Sequence, residues 1–116
     1  MPTLERNERA NGPAVTGFAG PLIKVDGMAR TGGVILTPDA IFDWDGGDFE
    51  QAVTGPLPEF ILLGTGAALE HPTLSIIAAY EARGIGIEAM DTRAAARAWG
   101  VLRAEGRWIS AALRPL

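Results

Sequence analysis

Residues 60–66 read Phe60-Ile61-Leu62-Leu63-Gly64-Thr65-Gly66, four consecutive apolar side chains followed by a glycine-rich turn. Side chains of a strand alternate between its two faces, so an unbroken apolar run suits a strand that is covered on both sides. Pro56 and Pro58 stand just before it and punctuate the chain there. The stretch therefore predicts a central strand of a layered sheet with a tight turn at its C-terminal end.

Working outward from that strand, the grammar downstream is strand, helix, strand, helix, strand, which predicts an α/β sheet. The first helix is expected from Pro72 or Thr73 to Arg83, with Gly84 where a left-handed residue ends a helix. Its buried stripe would be Leu74, Ile77, Ala78 and Tyr80 or Glu81. Residues 85–89 read as a second buried strand. The next helix starts at Asp91-Thr92, either of which can accept the free amides of a first turn, and runs to about Ala104. Ala95, Ala98, Trp99 and Leu102 share one face of it. Residues 108–113 are apolar at nearly every position and predict a last interior strand.

Upstream, residues 15–55 alternate short β-like pieces with turn signals such as Gly20-Pro21, Asp26-Gly27 and Asp45-Gly46-Gly47. This half reads as all-β. Residues 1–13 have no hydrophobic period and predict a flexible N-terminal arm, leaving residues 14–116 as a single domain.

Composition narrows the chemistry. The 116 residues are 47% hydrophobic and 21% charged, ordinary values for a globular chain. Without cysteine there is no thiolate nucleophile, disulfide or cysteine-held metal, and the lone histidine, His71, rules out a multi-histidine metal site. No metal and no cofactor are expected. The net charge of −4 comes with a single lysine, Lys24, and with arginines scattered among acids, which disfavours a nucleic-acid partner. No apolar run approaches membrane-spanning length and no signal peptide is visible, so a soluble, cytoplasmic protein with no transmembrane segment is expected.

The strongest candidate site is the turn at Gly64, Thr65 and Gly66. Glycines at the end of a buried strand let backbone amides approach an anion, and crevices at strand ends are where open α/β sheets bind ligands. The turn lacks the third glycine of a dinucleotide fingerprint and the Gly-Lys-Ser/Thr ending of a P-loop, so glycines that serve only tight packing are the simpler reading. Asp91 and Thr92 would join its rim if the two strands are parallel neighbours; Asp91 could act as a base, although helix capping is the favoured reading of an Asp-Thr pair before a helical stripe. His71 has no serine or cysteine nucleophile in a convincing turn. Asp43, Asp45 and Asp48 flank Trp44 in a calcium-loop-like pattern, but Thr54 stands where the twelfth-position glutamate belongs. No catalytic residue is assigned.

The chain resembles the Mth-type domain family of unknown function, found in bacteria, archaea and mitochondria. The resemblance is carried by Leu62-Leu63-Gly64-Thr65-Gly66, by residues 84–92 followed by Ala95 and Ala96, and by residues 101–107 leading into Ala111-Ala112-Leu113. Gly33-Val34-Ile35-Leu36 before Pro38, with Trp44, look similar to the family's β-layer. Trp99-Gly100 stand where relatives often carry Tyr-Asn, and Gly33 where serine is frequent. The resemblance implies an α/β layered domain with a mixed, roughly five-stranded central sheet, two main helices and a small N-terminal β-layer. It also implies similarity to a mitochondrial assembly factor of respiratory complex I, the NADH:ubiquinone oxidoreductase. A non-catalytic protein-binding or assembly factor is thus expected, with respiratory complex subunits or assembly factors as protein partners. The alternatives are a small-molecule or anion-binding protein, or a weak enzyme, using the glycine turn, and a self-associating homo-oligomer.

Overall fold

The computed structural model describes residues 12–116. Residues 1–11, most of the expected arm, lie outside the described residues. Pro13 is buried, and its carbonyl accepts a 2.7 Å hydrogen bond from the Trp99 indole.

Three short strands, β1 (Val15–Ala19), β2 (Leu22–Val25) and β3 (Met28–Ala29), form an antiparallel sheet in that order. Asp26 and Gly27 connect β2 to β3 with φ of 50° and 85°, the paired left-handed conformation that a two-residue hairpin needs. The Asp26 carboxylate accepts from the Ala14 amide at 3.0 Å and ties the start of the domain to this hairpin.

The central sheet contains β4 (Gly33–Leu36), β5 (Ile41–Trp44), β6 (Phe60–Gly64), β7 (Gly86–Met90) and β8 (Ser110–Leu113), in the order β5-β4-β8-β6-β7. β4 runs antiparallel to β5 and β8, and β6 runs parallel to β7 and β8, so the sheet is mixed. Helix α1 (Leu74–Glu81) connects β6 to β7, helix α2 (Thr92–Ala104) connects β7 to β8, and a short 3-10 turn covers Glu50–Val53.

Each face of the sheet has its own core, which is why the apolar runs are unbroken. Leu62, Ala111 and Leu113 point to one side and pack with Trp99 of α2 and with Ile23 and Val25 of the small sheet. Ile61, Leu63 and Ala112 point to the other and pack with Phe49, Ala52 and Tyr80.

Four expectations change in detail. β8 rather than β6 holds the middle of the sheet, β6 being interior beside it. The strand expected to be buried over residues 85–89 is an edge strand with mostly half-buried residues. Gly33–Leu36 belongs to the central sheet instead of the β-layer, because it pairs with β8 and not with β1 to β3. In α1, Leu74 is 83% exposed and Ala78 is exposed, while Tyr80 is buried and Ile77 half-buried. That helix reads Leu-Ser-Ile-Ile-Ala-Ala-Tyr-Glu, apolar almost all round, so spacing alone does not select the side that meets the sheet.

Candidate functional site

β6 and β7 are hydrogen-bonded parallel neighbours with Gly64 opposite Met90, so the residues just after each strand emerge at the same end of the sheet. Gly64, Thr65, Gly66, Asp91 and Thr92 therefore meet, as their spacing along the two strands requires. Gly64, Thr65, Gly66 and Thr92 are buried and Asp91 is half-buried.

The polar groups of this cluster bind one another. Thr65 N–H donates to the Met90 carbonyl at 2.9 Å, and Gly66 N–H donates to Thr92 Oγ1 at 2.8 Å. Thr92 N–H donates back to the Gly66 carbonyl at 2.8 Å, and the Thr92 hydroxyl donates to the Arg114 carbonyl at 2.7 Å. Asp91 accepts from Ala94 N–H at 2.9 Å and so caps α2. The Thr65 hydroxyl donates to the Ala68 carbonyl at 2.7 Å and accepts from Glu70 N–H at 2.9 Å, which folds the following loop back on the turn.

Two glycines are required here for different reasons. At Gly66, φ is +104°, a backbone that side chains disfavour. At Gly64 the obstacle is space: a Cβ would stand 2.8 Å from a Leu113 methyl and 2.9 Å from Thr92 Oγ1. The turn is thus a close-packed junction of β6, β8 and α2.

Other candidates are dispersed. His71 is exposed beside a groove of about 350 Å³ that also touches Phe49, Leu63, Thr73, Ile76 and Arg114, and among the described residues no hydrogen bond joins it to a nucleophile. Each of the three aspartates around Trp44 has a protein partner. Asp43 pairs with Arg30 at 2.9 Å, Asp45 accepts from Gly47 N–H at 2.8 Å, and Asp48 accepts from Glu50 N–H at 3.1 Å. The Trp44 indole donates to the Gly47 and Asp48 carbonyls, so this loop wraps its own ring.

One cluster escaped the sequence reading. Glu50 accepts from the Tyr80 hydroxyl at 2.6 Å and from Arg83 Nη1 at 2.9 Å and 3.1 Å. The Tyr80 hydrogen bond, then the Arg83 guanidinium, hold the Glu50 carboxyl below the usual carboxylate range. Burial, then the bond to Glu50, push the Tyr80 phenol above its ordinary range. Glu50 lies thirty residues from Tyr80, and the visible signal was only the helical spacing of Tyr80 and Arg83.

A protein family of unknown function, DUF498/DUF598, matches residues 15–114. The chain belongs to that family. The DUF498/DUF598 chain is 30% identical to a Bordetella parapertussis protein whose crystal structure superposes with a TM-score of 0.82, over 90% of this chain and 96% of that one. A Bordetella pertussis protein solved by NMR and described as a Mth938-like domain is 26% identical, with a TM-score of 0.72 over 89% of this chain and 85% of that one. The chain is also 25% identical to NADH dehydrogenase [ubiquinone] 1 alpha subcomplex assembly factor 3 of Danio rerio, over 97% of this chain and 70% of that protein. It is thus a distant relative of a complex I assembly factor. Among the described residues no helix is long and apolar enough to cross a membrane.

Proposed function

We propose that this protein is a cytoplasmic, non-catalytic assembly factor that works by binding protein, with subunits or assembly factors of respiratory complex I as its partners. The observation that carries the reading is the likeness to the Danio rerio assembly factor, which runs over 97% of this chain. The geometry of the turn supports it. The Thr65 and Gly66 amides serve the Met90 carbonyl and the Thr92 hydroxyl, and Asp91 serves its own helix. An anion at Gly66 would have to displace a buried hydroxyl from a 2.8 Å bond, which favours the protein-contact reading over the anion-binding alternative. Exposed apolar side chains point the same way: Leu69 is 48% and Leu74 83% exposed.

Affinity purification of the tagged full chain from native cells tests the reading. Complex I subunits or other assembly factors should co-purify in near-stoichiometric amounts, and their absence from every preparation would sink it. A thermal-shift screen with phosphates, nucleotides and carboxylates is the companion measurement. A ligand that binds only the folded chain raises its stability, so a reproducible shift that grows in Thr92→Val, where the Gly66 amide is freed, would favour the anion-binding alternative instead.

A further inference from the structure

Strand β1 and helix α2 lie side by side and leave an open groove of about 480 Å³. Its apolar surface includes Phe18, Ala96, Gly100 and Val101, and Arg93 and Arg97 stand along the same helix. Residues four apart on a helix are neighbours on one face, so the two guanidinium groups and Val101 form a ridge beside the apolar floor. Arg93 stacks over the Phe18 ring at 4.9 Å, while Arg97 and Val101 are exposed.

The charge of this ridge is unbalanced. Arg30, Arg83, Arg107 and Arg114 each pair with a carboxylate. Neither Arg93 nor Arg97 has a carboxylate partner among the described residues. The chain carries fourteen acidic residues against ten basic ones, so two neighbouring cations without a carboxylate partner among the described residues leave a locally positive ridge on an acidic protein. Like charges four apart also weaken a helix. Gly100 adds a second cost, since glycine is a poor helix former and a Cβ there would meet nothing within 4 Å. Beyond the stacking of Arg93 on Phe18, nothing among the described residues asks for either choice, whereas a partner lying close against α2 would use both.

We propose that this groove docks an acidic amphipathic segment of a partner protein, with apolar side chains seated on Phe18, Ala96, Gly100 and Val101 and carboxylates held by Arg93 and Arg97. The inference rests on the protein-binding reading above and names the chemistry of its partner. Guanidinium groups bind carboxylates with directional, charge-assisted hydrogen bonds, and apolar grooves beside helices accept amphipathic helices. The register of β1 against β2 shifts between Val15 and Gly17, a bulge that bends the strand. That irregular edge favours docking on side chains over addition of a further strand. Because Arg97, Gly100 and Val101 are exposed along the groove, it offers no enclosure for a lipid chain.

The test places a photo-reactive benzoylphenylalanine at Val101 of the tagged full chain in native cells, followed by irradiation and mapping of the attached peptide. The attached segment should carry at least two carboxylates within about one helical turn of its apolar residues. Its yield should fall about tenfold in Arg93→Glu/Arg97→Glu and persist in Arg97→Lys. Gly100→Gln, which fills the groove without changing charge, should lower it similarly. Should the double variant fold poorly, Arg97→Glu alone decides, because that side chain has no carboxylate partner among the described residues to lose. Attachment to residues 1–11 of this chain, to a second copy or to lipid would overturn the proposal, as would a yield indifferent to charge reversal. If the purified chain recovers complex I components equally well with and without Arg97→Glu, the groove is wrong while the assembly reading stands. If neither route recovers a protein, both fall.

Discussion

Gly66 and Thr92 hold each other twice, with Gly66 N–H donating to Thr92 Oγ1 and Thr92 N–H donating to the Gly66 carbonyl, both at 2.8 Å. The pair fastens the end of β6 to the first turn of α2, and the same hydroxyl reaches the Arg114 carbonyl just after β8. One buried side chain therefore joins three elements. Thr92→Val keeps the shape and removes the hydroxyl, leaving the Gly66 amide and the Arg114 carbonyl without their partner. It should lower unfolding free energy by about 2–4 kcal/mol, and Thr92→Ser by about 1 kcal/mol, in urea titrations at neutral pH. A loss in Thr92→Val no larger than that in Thr92→Ser would show that the hydroxyl contributes no more than the methyl group.

The meeting of that turn with Asp91-Thr92 was legible only on the condition that the two strands are parallel neighbours, a condition that the strand-helix-strand order favours and the pairing of β6 with β7 meets. The partners of the turn's amides were not legible, since the Thr92 hydroxyl is brought to Gly66 by tertiary packing across twenty-six residues. The buried face of α1 was hidden for a different reason. Leu74, Ile77 and Ala78 satisfy a helical stripe, but so do other sets in a helix that is apolar almost all round, and Tyr80 meets the sheet because it can stack on Phe49 at 5.1 Å and reach Glu50. Membership of β4 in the central sheet was concealed by distance, because its partner β8 lies far along the chain.

Leu74 checks the corrected face directly. At 83% exposure its removal opens no cavity, so Leu74→Ser should change stability by no more than about 0.5 kcal/mol. If Leu74 were part of a core, the loss would be several times larger. Chemical denaturation of the variant beside the parent decides between the two.

Glu50 links the fold to pH. Its carboxyl titrates lower in the folded chain than in the unfolded one because Tyr80 and Arg83 donate to it. A depressed folded value contributes stability that is present above the unfolded carboxylate range, near 4.3, and is lost as pH falls through the lower folded value. Glu50→Gln should therefore lose stability at neutral pH and show a shallower decline than the parent below about pH 4.3. Parallel acid limbs in the two proteins would place the carboxylate's strongest interactions elsewhere.

Tyr80 supplies the alkaline counterpart. Its raised phenol contributes stability that is complete below the unfolded tyrosine range, near 10, and is lost as pH rises through the higher folded value. Tyr80→Phe keeps the ring on Phe49 and removes the bond to Glu50, so it should cost about 0.5–1.5 kcal/mol at neutral pH. Above about pH 10 the parent should converge on the variant. A gap that stays constant to higher pH would mean that the phenol titrates alike in the folded and unfolded chains.

Gly100 separates what suits the fold from what suits a partner. It is exposed inside α2, its backbone is helical, and an added methyl would meet nothing within 4 Å. Alanine is a better helix former than glycine by about 1 kcal/mol, so Gly100→Ala should raise stability by roughly that amount. A midpoint that stays put or falls would show that the free chain already needs glycine there. If the midpoint rises while photo-attachment at Val101 weakens, the gain in helix and the loss in docking come from the same methyl group, which a purely structural glycine could not produce.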